Sequence, residues 1–223
     1  MTKKILVSLD DIFGYMHYGI LTNLSKLNDY DFYGFLSNEK DIEFFQNQTK
    51  IEFSELHYYP KYYMKNSSLP DLDFLKELET KYDLDIWKIA YSERTFLQER
   101  NFFHKFTSNE ILSIIESLSK FYVDFLTRIK PDFIIMQKTG ENLSNFLLYN
   151  ISKSMGIKTI MLVETRLLNS FVFSDDLLIS TLKDEFLKIK NDLPENLKEY
   201  NPEYLENKQS NVVSSFKSVK FGY

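Results

Sequence analysis

The sequence predicts an α/β fold: an open parallel sheet with helices against it. Two stretches carry that expectation. Near the N-terminus a short apolar run is followed by a loop, an amphipathic stretch and a second strand-like run, which together make one β-α-β unit. Between residues 107 and 163, helix, strand, helix and strand alternate again. Composition permits such a fold. Of the 223 residues 43% are hydrophobic, and 20 Phe and 15 Tyr supply large rings for a core.

Taken in order, residues 4–9 (KILVSL) form the first strand, because a continuous apolar run suits a strand buried on both faces. A loop follows over 10–14. Ile20, Leu21, Leu24 and Leu27 then recur at helical spacing over 18–27, and 30–36 is the second strand. The segment 40–106 is less regular. Pro60 and Pro70 punctuate it, and an aromatic cluster fills 57–63. Pro70 opens a helix to about Lys81. A further helix over 83–99 would put Trp87, Tyr91 and Arg94 on one face. Thr107 and Glu110 have capping-box spacing, and apolar residues from Ile111 to Ile129 keep a helical period until Pro131. Residues 132–137 make a buried strand, 142–155 an amphipathic helix with Gly156 at its C-cap, and 157–163 the next strand. Ser174 can cap a last helix, with Asp175 and Asp176 in its first turn and Lys188 and Lys190 in its last. Pro194 and Pro202 break the remainder into polar pieces. The expected organisation is a Rossmann-like open parallel sheet over 1–175, then a helical linker or tail over 176–223.

Several function classes recede. A net charge of −5 speaks against a nucleic-acid surface. The absence of cysteine removes disulfides, zinc-thiolate sites and thiol nucleophiles. The apolar run at the start is too short for a signal-peptide core, and no run approaches the ~20 residues that span a bilayer. A cytoplasmic protein is expected. Gly14 and Gly19 imitate P-loop spacing, but Ile20 and Leu21 stand where a lysine and a hydroxyl residue belong. A dinucleotide fingerprint lacks its third glycine. Gly14 and Gly19 then either allow a tight turn or line a loop facing a ligand.

The loop after the first strand is where an open parallel sheet binds ligands. His17 there has a side chain that titrates near neutrality and can take a proton from a hydroxyl, with Asp10 or Asp11 to orient it. A surface or capping histidine is the plainer alternative. His57 and His104 lie apart, so no metal-ligand spacing exists among the three. Arg94 is a candidate cation for phosphate or carboxylate, or a stem packed on rings. Lys138 and Glu141 follow one strand, and Glu164 and Arg166 follow the next, so the two loops would converge at one sheet edge. Asp175-Asp176 resembles a metal-binding acidic pair only loosely, and helix capping explains it better.

The segment 82–94 (YDLDIWKIAYSER) resembles one found in capsular and lipopolysaccharide biosynthesis proteins, a Trp-centred helix ending in an acid and an arginine. So do Lys130-Pro131-Asp132 before a strand, Met155-Gly156-Ile157-Lys158, and Glu164-Thr165-Arg166-Leu167 followed by Phe171-Val172-Phe173-Ser174-Asp175. Those proteins are similar to glycosyltransferases of GT-B architecture. The resemblance implies two Rossmann-like domains facing a cleft, the first holding the acceptor and the second the nucleotide-sugar. It also implies a base in the loop after the first strand, the position of His17. A sugar or glycan acceptor is then the expected partner, with Gly14, Arg94, Lys138, Glu164 and Arg166 as contacts and His17 with Asp11 as the catalytic pair. The nucleotide-sugar donor is expected only with a second domain, which these residues do not contain, and no tightly bound cofactor is expected. The competing reading is a non-catalytic binding or assembly module, with 57–63 as a surface for a membrane-associated partner. A receiver-like domain finds little support, because no phosphoacceptor aspartate with a partner lysine stands out.

Overall fold

At the centre lies β1 (Lys3–Ser8), paired in parallel with β2 (Tyr30–Leu36) on one side and β4 (Phe133–Gln137) on the other. The strand β3 (Phe53–Tyr58) extends the sheet beyond β2, and β5 (Lys158–Glu164) extends it beyond β4. The last strand, β6 (Phe171–Ser174), runs antiparallel to β5. This computed structural model describes residues 2–64, 69–96, 103–138, 142–164 and 171–176. Contacts divide the chain into Met1–Ser180 and Thr181–Tyr223, and the described residues belong to the first unit.

The strand order β3-β2-β1-β4-β5-β6 is that of a Rossmann-like sheet. Side chains alternate between its faces with period two. Ile5 and Val7 pack with Leu21 of α1 (Asp11–Leu24) and Phe45 of α2 (Glu39–Asn47). Leu6 faces the other way. It belongs with α3 (Leu72–Tyr82), α4 (Ile86–Ser92), α5 (Ser108–Ile129) and α6 (Leu143–Ser154), whose Leu78, Ile89, Tyr122 and Leu147 are buried in one cluster. Phe35 sits at the heart of that layer, within ring contact of Phe121, Tyr122 and Phe125.

The predicted helices over 107–130 and 142–155 form as the caps imply. Thr107 and Glu110 make the reciprocal capping box, and Asn142 accepts from the Ser144 and Asn145 N–H groups. Three expectations change. First, the predicted loop 10–14 is helical from its second residue: α1 begins at Asp11, with Gly14 donating from its N–H to the Asp10 carbonyl at 2.9 Å. Gly14 is there for contact rather than for a turn, because α1 lies almost on the Leu9 backbone. Second, the irregular middle holds α2, β3 and a 3-10 turn at Tyr59–Tyr62. As an edge strand, β3 carries Ser54, Glu55 and His57, so its apolar alternation is weak. Third, α4 ends at Ser92. Trp87 and Tyr91 share a face as expected, but Arg94 lies in the turn beyond. Ser174 sits in β6. The helix predicted from Asp175 to Lys190, and the tail to 223, lie outside the described residues beyond Asp176.

The edge strand is tied to α5 by charge. The Arg128 guanidinium forks onto Glu55 at 2.6 and 2.9 Å, and His57 Nε2 contacts Glu55 Oε2 at 2.8 Å. The Arg128 fork holds the Glu55 carboxyl down to about 2. A folded-state pKa below the usual 4.5 means that this tie stabilises the fold above pH ~4.5 and is lost as pH falls toward 2. Glu55 and Arg128 are partly exposed, so the contribution is under about 1 kcal/mol. In Arg128→Gln, unfolding free energy measured from pH 5 to 2.5 should fall less steeply than in the parent. An unchanged slope would show that the fork contributes nothing.

Candidate functional site

In a sheet of this order the chain leaves β1 and β4 in opposite directions, so a crevice opens between their carboxyl ends. Ser8 at the end of β1, together with Asp10 and His17 after it, forms a hydrogen-bonded group at this end of the strand. Asp10 stands at the N-cap of α1 yet does not cap it with its side chain. Its carboxylate instead accepts from Ser8 Oγ at 2.9 Å and from the Ser37 N–H at 2.6 Å, joining the loops after β1 and β2. Asp10 is only 2% exposed, and burial pushes its pKa up to about 6 despite those hydrogen bonds.

His17 lies on the second turn of α1 and is fully buried. Its Nδ1 is 2.7 Å from the Ser8 carbonyl oxygen. A carbonyl can only accept, so Nδ1 carries the proton and Nε2 carries the lone pair. Burial lowers the His17 pKa below the ordinary value, against the Ser8 bond, and the ring is neutral at pH 7. Nε2 is buried with no hydrogen-bond partner among the described residues. The Phe13 ring lies 6.3 Å away, and Phe171 of β6 meets Phe13 edge-on. Asn145 Nδ2, in the first turn of α6, and Ser119 Oγ of α5 are likewise buried without a hydrogen-bond partner among the described residues. Buried polar groups are nearly always paired, so such positions stand out.

On the α5–α6 side of the sheet, the same edge borders a cavity of about 410 Å³. Tyr59 and Tyr63, just beyond β3, face Phe96 and Phe106 across it, with Glu93 and Ser144 among the polar lining. Glu93 is held in place. Its Oε2 accepts from the Leu143 N–H at 3.0 Å, at the start of α6, and its Oε1 from the Thr95 N–H at 3.1 Å. Ser144 shares a 2.5 Å hydrogen bond with Tyr122. Burial pushes the Tyr63 hydroxyl up to about 12, with Glu93 and Asp10 adding to the effect. Asp10 likewise raises Tyr59 and Tyr122, after burial. The cavity and the His17 side of the crevice are thus linked through Ser8 and Asp10.

Of the residues singled out from sequence, Lys138 and Glu164 do come to one sheet edge, at the ends of the neighbouring strands β4 and β5. Glu164 is exposed and Lys138 half-buried. Gly14 packs against Leu9 inside α1 and lines no ligand loop. Asp11 is exposed, at φ 50°, and it is the Ser8 carbonyl that orients His17, not Asp11. Arg94 is half-buried beside Glu93. Glu141 and Arg166 lie outside the described residues. The segment 57–63 mostly turns inward: Tyr59 and Pro60 are buried, and Tyr62 stacks on Phe121 at 3.9 Å. Tyr59, Tyr63, Glu93 and Ser144 were not legible as a site, since nothing in their spacing brings them together. Among the described residues, no group of three or more His, Asp or Glu could hold a metal ion, and no helix is long and apolar enough to cross a membrane.

No protein-family model matches the chain, and no curated protein does. Among solved structures it is similar to the crystal structure of UDP-N-acetylglucosamine 2-epimerase, at 12% identity and a TM-score of 0.39, over 75% of this chain and 34% of that one. The chain therefore spans about a third of the length of that structure.

Proposed function

We propose that this chain is the acceptor-side half of a nucleotide-sugar-dependent glycosyltransferase, with His17 as the base. The observation that carries it is the buried Nε2 lone pair of a neutral His17 at the β1–β4 switch point. Such a nitrogen can take the proton from an acceptor hydroxyl as that oxygen attacks the anomeric carbon of the donor and the bond from that carbon to the nucleotide phosphate breaks, the nucleotide leaving as the anion. The Ser8 carbonyl favours the imidazolium that forms, because it accepts from Nδ1–H in both states. Asp10 supports this by fixing Ser8 through its hydroxyl. The resemblance around Trp87 and Glu164 to surface-polysaccharide enzymes points the same way. The donor would be held by a second domain. Phe13 lies against the imidazole, with Phe171 edge-on to Phe13, so the reading requires the Phe13 ring to move when the acceptor enters.

Sugar transfer by the full-length protein tests the base assignment. His17→Ala should lower kcat by about 10²- to 10⁴-fold while thermal unfolding stays two-state. The parent's kcat/KM should fall on the acid side with an apparent pKa below 6.5, and that limb should vanish in His17→Gln. Unchanged turnover in both variants would remove His17 from the mechanism.

A further inference from the structure

We infer that the cavity beside Glu93 is a binding site for an uncharged, polyhydroxylated ligand the size of one or two hexose rings. This rests on the glycosyltransferase reading only in naming that ligand the acceptor; its chemical class follows from the walls. Four aromatic rings, Tyr59, Tyr63, Phe96 and Phe106, line the cavity. Ring faces suit the C–H faces of a sugar and bury its apolar surface without demanding charge. The charged side chains among the described lining are Glu93 and Glu110, both acidic. Among the described lining residues, an anion such as a phosphate, a nucleotide or a uronate would meet like charge and no lysine or arginine.

The carboxylates are set up as acceptors. Two backbone N–H groups orient Glu93, and Glu110 is fixed by Thr107 and His104. Each oxygen retains lone-pair capacity for a ligand hydroxyl. These same bonds already satisfy part of the negative charge, which favours neutral donors over an ammonium group. Tyr63 supplies the complementary donor. It stands near Glu93, and its hydroxyl has no partner among the described residues. Tyr59 and Ser144, the latter hydrogen-bonded to the buried Tyr122, add hydroxyl groups to the wall. A volume of about 410 Å³ lies at the small end of ordinary ligand cavities.

Saturation-transfer NMR on the chain, with N-acetylglucosamine, maltose, glucose 6-phosphate and glucosamine as probes, tests the inference. The two neutral sugars should bind, and glucose 6-phosphate should bind at least about tenfold more weakly. Tyr63→Phe, which keeps the ring, should weaken neutral-sugar binding about fivefold. Phe106→Ala should abolish it, with circular dichroism unchanged. The inference is overturned if glucose 6-phosphate or glucosamine binds as tightly as the neutral sugars, if neither neutral sugar binds, or if both variants bind like the parent. Neutral-sugar binding together with a silent His17→Ala would leave the cavity standing and the transferase reading lost. A strong His17 effect with no sugar bound here would do the reverse.

Discussion

Replacing Gly14 with Ala is expected to destabilise the protein by about 3 kcal/mol. A Cβ at this position would lie 2.5 Å from the Leu9 carbonyl carbon and oxygen and 2.9 Å from its Cα. All three are backbone atoms of the segment that follows β1, so no side chain can swing away. Helix α1 would have to lift from the sheet, loosening Leu21 and His17 together. Gly19 is the internal control. It lies on the exposed side of the same helix, with nothing within 4 Å of an added Cβ. Gly19→Ala should therefore stabilise by about 0.5 to 1 kcal/mol, because alanine loses less backbone entropy in a helix. Urea unfolding of both variants checks this. Equal midpoints would mean that α1 is not seated on Leu9.

Asp10→Asn should make the protein more stable at pH 7.5, by about 2 to 3 kcal/mol. Burial raises the Asp10 carboxyl from 3.8 to about 6. The folded state therefore binds the proton more tightly than the unfolded chain between those values. Stability from this residue is fully present below pH ~4, declines as pH rises through about 6, and is flat above. Asparagine stays neutral throughout. Its carbonyl oxygen can still accept from the Ser37 N–H, and its amide can donate to Ser8 Oγ. The gain should appear in denaturant unfolding at pH 7.5 and disappear at pH 4. A loss at pH 7.5 would show that the hydrogen bonds to the ionised form outweigh its burial. A buried carboxylate that lowers stability beside His17 is the kind of trade-off found where a site serves chemistry rather than folding.

The parallel sheet was legible because its signals are local. Continuous apolar runs in β1, β4 and β5, the Thr107–Glu110 capping box and Gly156 at its left-handed φ of 72° each act within a few residues. Where local signals misled, a tertiary contact had overridden them. Gly14 and Gly19 look like turn glycines until α1 is seen against Leu9. The polar pattern of β3 makes sense only once Arg128, 73 residues away in sequence, is found on Glu55. Two antiparallel strands, β5 and β6, flank a stretch that from sequence alone reads as a loop leading to a helix.

The site divides in the same way. The sequence alone pointed to the carboxyl edge of the sheet as the expected place for a ligand, because βαβ units with right-handed crossovers put loops there. It also marked His17, by residue type, as a candidate base. Only the tertiary structure decided which of its nitrogens is free, through the Ser8 carbonyl on Nδ1, and replaced Asp11 with that carbonyl as the orienting group. It alone brought Tyr59, Tyr63, Glu93 and Ser144 around one cavity. Those residues come from segments whose spacing is set by the intervening strands and helices. Their meeting is thus a property of the packed fold, which no local periodicity encodes.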